Sequence, residues 1–204
     1  MPLRAVFFDV GETIVDETVL WTWWADRFGI PRFTFFAVFG ALIERGEDHR
    51  RIFEIFDVER DGSWPGFGLE HFYPDALECL RALKEEGLRL GLVGNTSTQI
   101  EDILRSLDLP ADVIGSSERW GVEKPAPAFF ARVIDEAGCS PAEIAYVGDR
   151  LDNDVLPAVD AGMNGIFIRR GPWGVMHAMR PEVGRATARI DSLAELPAVL
   201  RGLR

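Results

Sequence analysis

Five short apolar runs punctuate the chain: "RAVFFD" ending at Asp9, "LRLGLVG" at Gly94, "DVIG" at Gly115, "EIAYVGD" at Asp149 and "GIFIRR" at Arg170. Their length and their content of β-branched and aromatic residues predict strands. Between the later runs apolar positions recur with helical spacing, over Ala76 to Glu86, Thr98 to Leu107, Ala126 to Ala137 and, more briefly, Asp152 to Ala161. Strands that alternate with helices pair in parallel, so the pattern predicts an α/β sheet covered on both faces.

One interval breaks the rhythm. About 60 residues separate the first strand from the helix near Asp75, several times what a crossover needs. The interval reads as helical: Trp21, Trp24 and Phe28 share a face, as do Phe35, Phe39 and Leu42, and then Ile52, Ile55 and Phe56. It also carries 13 of the 22 aromatic residues between Glu17 and Phe72, enough for an apolar centre of its own. The expected division is therefore an α/β core at 1–16 and 73–204 with an inserted helical cap at 17–72. "DGSWPGFG", Asp61 to Gly68, is its irregular return.

Composition narrows the function classes. At 204 residues, 47% hydrophobic and 27% charged, the chain suits one packed domain, or a core with a small insertion. The net charge of -11 argues against general nucleic-acid binding, because an acidic surface repels phosphate backbones. Cys79 and Cys139 are far apart and lack CxxC spacing, so they are expected to be free thiols in a reducing compartment. "MPLRAVFFDV" lacks the pattern of a secretory signal and no run reaches the length of a membrane span, which gives a cytoplasmic location as the expectation.

In open α/β sheets, ligands bind beyond the carboxyl ends of the strands. Each of the first four strands is followed there by a loaded group: Asp9; "GNTS" with Asn95, Thr96 and Ser97; "WGVEKPAP" with Lys124; and "GDRLDND" with Asp149, Asp152 and Asp154. Singly each has an ordinary reading as a cap, a turn or a solvated acidic run. Together, in this order, they resemble the haloacid dehalogenase-like hydrolase superfamily. Its first motif, DxDxT, falls on Asp9 to Thr13, its second near Gly94, its third on Lys124 with Pro125, and its fourth, GDxxxxD, on Gly148, Asp149 and Asp154.

The resemblance implies a Rossmann-like core of five parallel strands ordered 5-4-1-2-3, a helical cap of the first type, and Asp9 beside Asp149 at the switch point. It further implies an Asp9 nucleophile that forms an aspartyl-phosphate with a small phosphorylated substrate. Mg²⁺ would be held by Asp9, Asp149, the main-chain carbonyl of Gly11 and, directly or through water, Asp154. Lys124 would offset negative charge, Asn95 or Thr96 would donate to the phosphoryl group alongside the Gly11 position, and Asp152 would face solvent.

The first motif departs from the family at Gly11, where phosphatases carry the Asp that protonates the leaving alcohol and activates water. Such help contributes typically about 10² to 10⁴-fold. Three readings follow. The chain is a hydrolase that draws its acid from Glu12, Asp16 or Glu17, or acts on leaving groups that need no proton. Alternatively it has lost catalysis and binds a metal or ligand. The third reading is cleavage of a carbon-halogen or carbon-phosphorus bond. The fourth motif looks like a metal site, which counts against metal-free dehalogenases. No Lys stands between Glu17 and Phe72, which counts against a phosphonatase Schiff base.

The aromatics Trp21, Trp23, Trp24, Phe35 and Phe36 would line an apolar pocket, form a homodimer surface, or simply pack the cap, with Trp23 falling off the main face. His49, His71 and His177 show no ligand spacing and receive no role, and "RRGPWG" reads as a surface turn.

Overall fold

All five expected strands form, within about two residues of their expected ends: β1 (Ala5–Phe8), β2 (Arg89–Gly94), β3 (Val113–Ser116), β4 (Ile144–Gly148) and β5 (Asn164–Ile168). The computed structural model describes residues 2–61 and 66–203. Every strand pairing is parallel, and the order is β3-β2-β1-β4-β5, which is the order expected from sequence. A sixth strand, β6 (Ala188–Ile190), pairs with β5 and corrects the expected count of five. With three residues and only Ile190 buried, it is too short to carry a periodic signature.

The helices are, in chain order, α1 (Thr18–Arg27), α2 (Arg32–Glu44), α3 (Ile52–Ile55), α4 (Ala76–Glu85), α5 (Thr98–Ser106), α6 (Ser117–Trp120), α7 (Pro127–Ala137), α8 (Leu156–Asp160), α9 (Gly171–His177) and α10 (Leu196–Gly202). None among the described residues is long and apolar enough to cross a membrane.

The central strands are apolar on both faces because both faces are covered. Val6 and Phe8 of β1 join Leu90, Leu92, Ala145 and Val147 against Leu80 and Leu83 of α4 and Leu196 and Leu200 of α10. Ala5 and Phe7 point the other way, joining Val93, Ile144 and Tyr146 against Phe129, Phe130 and Val133 of α7. Each buried Phe or Leu contributes roughly 1.5–3 kcal/mol by leaving water. The strand period of two thus divides one run of four apolar residues between two layers, and this fixes the register that sets Asp9 at the sheet's edge.

A separate apolar cluster sits among α1, α2 and α3: Trp21, Trp24, Ala25, Phe35, Phe39, Leu42, Ile43, Ile52 and Phe53. The expected faces hold for α1 and α2. In α3 only Ile52 and Phe53 are buried while Ile55 is half exposed, because the helix is a single turn and its face never repeats. Residues 62–65 of the expected irregular return lie outside the described residues.

Trp173 of α9 joins this cluster from the sheet side. "RRGPWG" is therefore not a surface turn: it opens α9, and Arg170 donates to Thr13 O (3.0 Å) and pairs with Asp75. The helix expected from Asp152 to Ala161 also begins differently, as a π-turn over Leu151–Val155 that continues into α8. π-turns of this kind are frequent at functional sites.

Candidate active site

Because β1 and β4 are hydrogen-bonded neighbours, with Phe8 beside Val147, the residues that follow them, Asp9 and Asp149, emerge side by side. The Asp9 amide continues the ladder, donating to Val147 O at 2.9 Å. Lys124 reaches the same point from the segment after α6. Its Nζ donates to Asp9 Oδ1 and to Asp154 Oδ1, each at 2.6 Å, and the side chain is almost wholly buried. The rings of Phe129 and Tyr146 stand 5.9 and 5.8 Å from the ammonium. Burial alone would lower the Lys124 ammonium, but the charges of Asp154 and Asp9 outweigh it and hold the group well above its ordinary range.

Asn95 fixes where Lys124 starts. Its Oδ1 accepts from Lys124 N at 2.7 Å and its Nδ2 donates to Lys124 O at 2.8 Å, a two-point clamp on the backbone of one residue. The π-turn fixes Asp154: Arg150 N donates to its Oδ2 at 3.1 Å. Leu151 N, at the same turn, donates to Nδ1 of the buried His177 at 3.1 Å. Burial lowers His177 to about 4, so the ring stays neutral as that acceptor role requires. Gly148 admits the turn, since a Cβ there would lie 2.5 Å from Asp154 Cβ.

The carboxylates of Asp9, Asp149 and Asp154 offer oxygens within 4.8 Å of one another. Burial raises Asp149 well above the carboxylate range, with the charges of Asp154 and Asp9 adding to it. Burial also raises Asp154 to about 6, against the pull of Lys124. Asp149 Oδ2 is buried without a hydrogen-bond partner. One ammonium faces three carboxylates, because the Arg150 guanidinium is turned toward Asp152, at 2.8 Å. An orphaned buried oxygen in an oxygen-only donor set fits a hard divalent cation such as Mg²⁺.

The loop from Val10 to Glu17 forms the opposite wall. It folds back on itself, with the amides of Ile14 and Val15 both donating to Val10 O at 2.9 Å, and Glu12 takes a left-handed conformation (φ 55°). Glu12 is buried and fully engaged: Oε1 accepts from Glu17 N at 2.9 Å and Oε2 from Tyr73 Oη at 2.6 Å. Gly171 (φ 63°) lies directly beneath it, where a Cβ would strike the Glu12 side chain. Asp16 Oδ1 accepts from Thr18 N at 2.8 Å, at the head of α1. Glu17 Oε2 accepts from Trp21 Nε1 at 3.1 Å. Burial pushes the Glu17 carboxyl up to about 7, with the charge of Glu12 adding to it.

Glu12 and Glu17 line an open cleft of about 1270 Å³. Of the residues singled out from sequence, Asp9, Gly11, Asn95, Thr96, Lys124 and Asp149 line it, and Asp154 lies just beneath Lys124. Asp152 pairs with Arg150 at the exposed side, as expected. From the segment expected to be a cap, Trp21 and Trp24 line it, together with Glu47, Asp48, Arg50 and Arg60. Phe35 is core, Phe36 is partly exposed, and Trp23 packs on Trp24 with Arg27 over its ring.

Sequence reasoning missed His49, Arg150, Asn153 and Trp173, which also line the cleft. His49 packs edge-on to Trp21 and Trp173, with ring centroids 5.4 and 5.0 Å apart, a position with no local pattern to announce it. Arg150 and Asn153 did have a signal, since both lie within "GDRLDND".

Comparison with known proteins agrees with this geometry. The chain is 38% identical to the glyceraldehyde 3-phosphate phosphatase of Methanopyrus kandleri over 133 residues, covering 61% of this chain and 57% of that protein. It is 27% identical to the protein of the same name from Pyrococcus furiosus over 203 residues, covering 84% of this chain and 82% of that one. The aligned part therefore spans little more than half the length of the Methanopyrus relative. Among solved structures, a phosphatase from Thermococcus onnurineus superposes with a TM-score of 0.66 at 25% identity, covering 98% of this chain and 99% of that one. An L-2-haloacid dehalogenase superposes at 0.72 with 17% identity, covering 98% of this chain and all of the other, a likeness of fold alone. The family model for haloacid dehalogenase-like hydrolases matches residues 3–162, well over half of the sequence, and the chain belongs to that family.

Proposed function

We propose that the protein is a Mg²⁺-assisted phosphatase that transfers the phosphoryl group of a small phosphate ester to Asp9 and then to water. The observation that carries this reading is the buried Lys124 bridging Asp9 and Asp154 beside the partnerless Oδ2 of Asp149. A site with surplus carboxylate charge has use for a cation, and a dianionic substrate entering it needs one.

Asp9, Asp149 and Asp154 would hold Mg²⁺, which when bound supplies positive charge to the phosphoryl oxygens. Asp9, at the open end of β1, attacks phosphorus in line with the leaving oxygen; the bond from phosphorus to that oxygen breaks and an aspartyl-phosphate forms. Lys124 keeps the attacking carboxylate oriented and offsets charge on the phosphoryl group as it moves. Asn95 holds the Lys124 peptide in place, and Thr96 stands at the cleft to receive phosphoryl oxygens. Water then attacks the same phosphorus and restores the Asp9 carboxylate.

In this reading residues 17–72 act as the cap over the site, with Trp21 and Trp24 supplying its apolar ceiling. Three-carbon phosphate esters are the first compounds to test, in view of the activity named for the archaeal relatives. The decisive assay is hydrolysis of p-nitrophenyl phosphate and glyceraldehyde 3-phosphate with and without Mg²⁺. Turnover that needs Mg²⁺ and disappears in Asp9→Asn supports the reading, while turnover that survives Asp9→Asn contradicts it.

A further inference from the structure

The missing carboxylate of the first motif has a replacement in space. Gly11 has no side chain, yet the volume that an Asp there would fill is occupied. A Cβ built on Gly11 would lie 2.5 Å from Glu17 Oε1, 2.8 Å from Glu17 Cδ and 3.4 Å from Glu17 Oε2. The carboxyl group of Glu17 thus sits where the carboxyl of an Asp at position 11 would project. We propose that Glu17 is the general acid and base of this active site, delivered from the head of the first cap helix instead of from the loop after β1.

Three features separate Glu17 from its neighbours. Both Glu12 oxygens are engaged, by Glu17 N and by Tyr73 Oη, so Glu12 has no free face to offer. Asp16 spends Oδ1 on the amide of Thr18 and does not line the cleft. Glu17 has one oxygen oriented by Trp21 Nε1, and no described residue donates to the other, Oε1, which is the atom nearest Gly11. Glu17 and Asp9 line the same cleft. One oriented oxygen and one free oxygen is what a proton-transfer group needs: the first fixes the geometry, the second meets the substrate.

The arrangement also accounts for the glycine. An Asp at position 11 and a Glu at position 17 would compete for one volume, so the shift of the carboxyl to the cap requires that residue 11 have no side chain. Burial is the main cause that raises the Glu17 carboxyl, with the charge of Glu12 adding to it against the hydrogen bond from Trp21.

The steps balance as follows, and they rest on the phosphatase reading above. As the Asp9 oxygen bonds to phosphorus, the electron pair of the breaking P–O bond passes to the leaving oxygen, and Glu17 gives that oxygen its proton, releasing an alcohol. Glu17, now a carboxylate, takes a proton from the water that attacks the aspartyl-phosphate. The bond between phosphorus and the Asp9 oxygen breaks, inorganic phosphate leaves, and both carboxyl groups return to their starting states.

The test compares p-nitrophenyl phosphate, whose leaving group hardly needs a proton, with glycerol 3-phosphate, whose leaving alkoxide does. The proteins are the wild type, Glu17→Gln, Gly11→Asp, and the double variant Gly11→Asp with Glu17→Ala. Glu17→Gln keeps the contact with Trp21 and should lower kcat on the alkyl ester by about 10² to 10⁴-fold. Its effect on the aryl ester should be less than about tenfold, with KM little changed. Gly11→Asp alone should not gain, because its side chain meets Glu17, whereas the double variant should recover most of the alkyl-ester turnover. An equal loss on both esters in Glu17→Gln, no loss on either, or a double variant no better than Glu17→Gln overturns the assignment. So does a wild type that hydrolyses the aryl ester through Asp9 but leaves the alkyl ester untouched, and in that case the phosphatase reading still stands. A wild type without Asp9-dependent turnover of either ester overturns both.

Discussion

The two walls of the cleft are built on different principles. On the sheet side, charge is met with charge: Lys124 bridges Asp9 and Asp154 at 2.6 Å, Arg150 N holds Asp154, and Asn95 holds Lys124. On the opposite side the aromatic surface of Trp21 and Trp24 stands beside the Glu17 carboxyl, which accepts from an indole N–H and feels the charge of Glu12, while Glu47, Asp48, Arg50 and Arg60 also line the cleft. The first wall is rigid because each charged group is fixed by another element of the fold. The second mixes apolar and charged groups, and its Glu17 carboxyl is raised by burial first and by the charge of Glu12 next. In the proposed mechanism the tasks are separated: the sheet side binds and attacks, and Glu17 manages the proton.

The sharpest way to break this contrast is to remove the charge that organises the sheet side. Lys124→Met leaves Asp9 and Asp154 facing each other without a cation, which should cost about 3–5 kcal/mol of stability. It should also lower kcat by about 10² to 10³-fold on aryl and alkyl esters alike. Thermal unfolding and steady-state kinetics together check this, and equal activity on both esters distinguishes Lys124 from Glu17.

A second prediction concerns the cap's apolar cluster. Phe35 is fully buried among Trp21, Phe36, Phe39 and Phe56. Phe35→Ala should cost about 3–5 kcal/mol of the stability of this cluster. Hydrogen exchange should rise first in α1 to α3 while β1 and β4 stay protected, since the apolar clusters of the two regions share no buried side chain. Equal loss of protection in both would show a single cooperative core.

The smallest effect is expected at Asn95. Asn95→Ala removes two hydrogen bonds to the Lys124 peptide, each worth about 0.5–1.5 kcal/mol, and should slow turnover by about tenfold while leaving the fold intact. An effect as large as that of Lys124→Met would mean that Asn95 contacts substrate directly.

The sheet side was legible in the sequence because its residues stand at the ends of apolar runs. A parallel α/β topology forces all such ends to one edge, so Asp9, Asn95 and Asp149 meet whatever the details of packing. β6 was not legible because three residues carry no period. Trp173 was misread because Gly171 and Pro172 look like turn punctuation, although Pro at the start of a helix is equally a signal for α9. The position of Glu17 over Gly11 lay beyond one-dimensional reading. Glu12, Asp16 and Glu17 are equivalent by spacing, and what separates them is three-dimensional: the left-handed turn at Glu12 sends its carboxyl toward Tyr73, and the first residues of α1 bring Glu17 over Gly11.

The central claim is that Asp9 becomes phosphorylated. Hydroxylamine traps an acyl-phosphate as a hydroxamate, so the direct measurement is peptide mass spectrometry after the protein turns over p-nitrophenyl phosphate with Mg²⁺ and hydroxylamine present. A hydroxamate at Asp9, absent when substrate or Mg²⁺ is withheld, is the expected result. Release of p-nitrophenol at the full rate with Asp9 unmodified would contradict the account, because it would place the attacking oxygen somewhere other than at the end of β1.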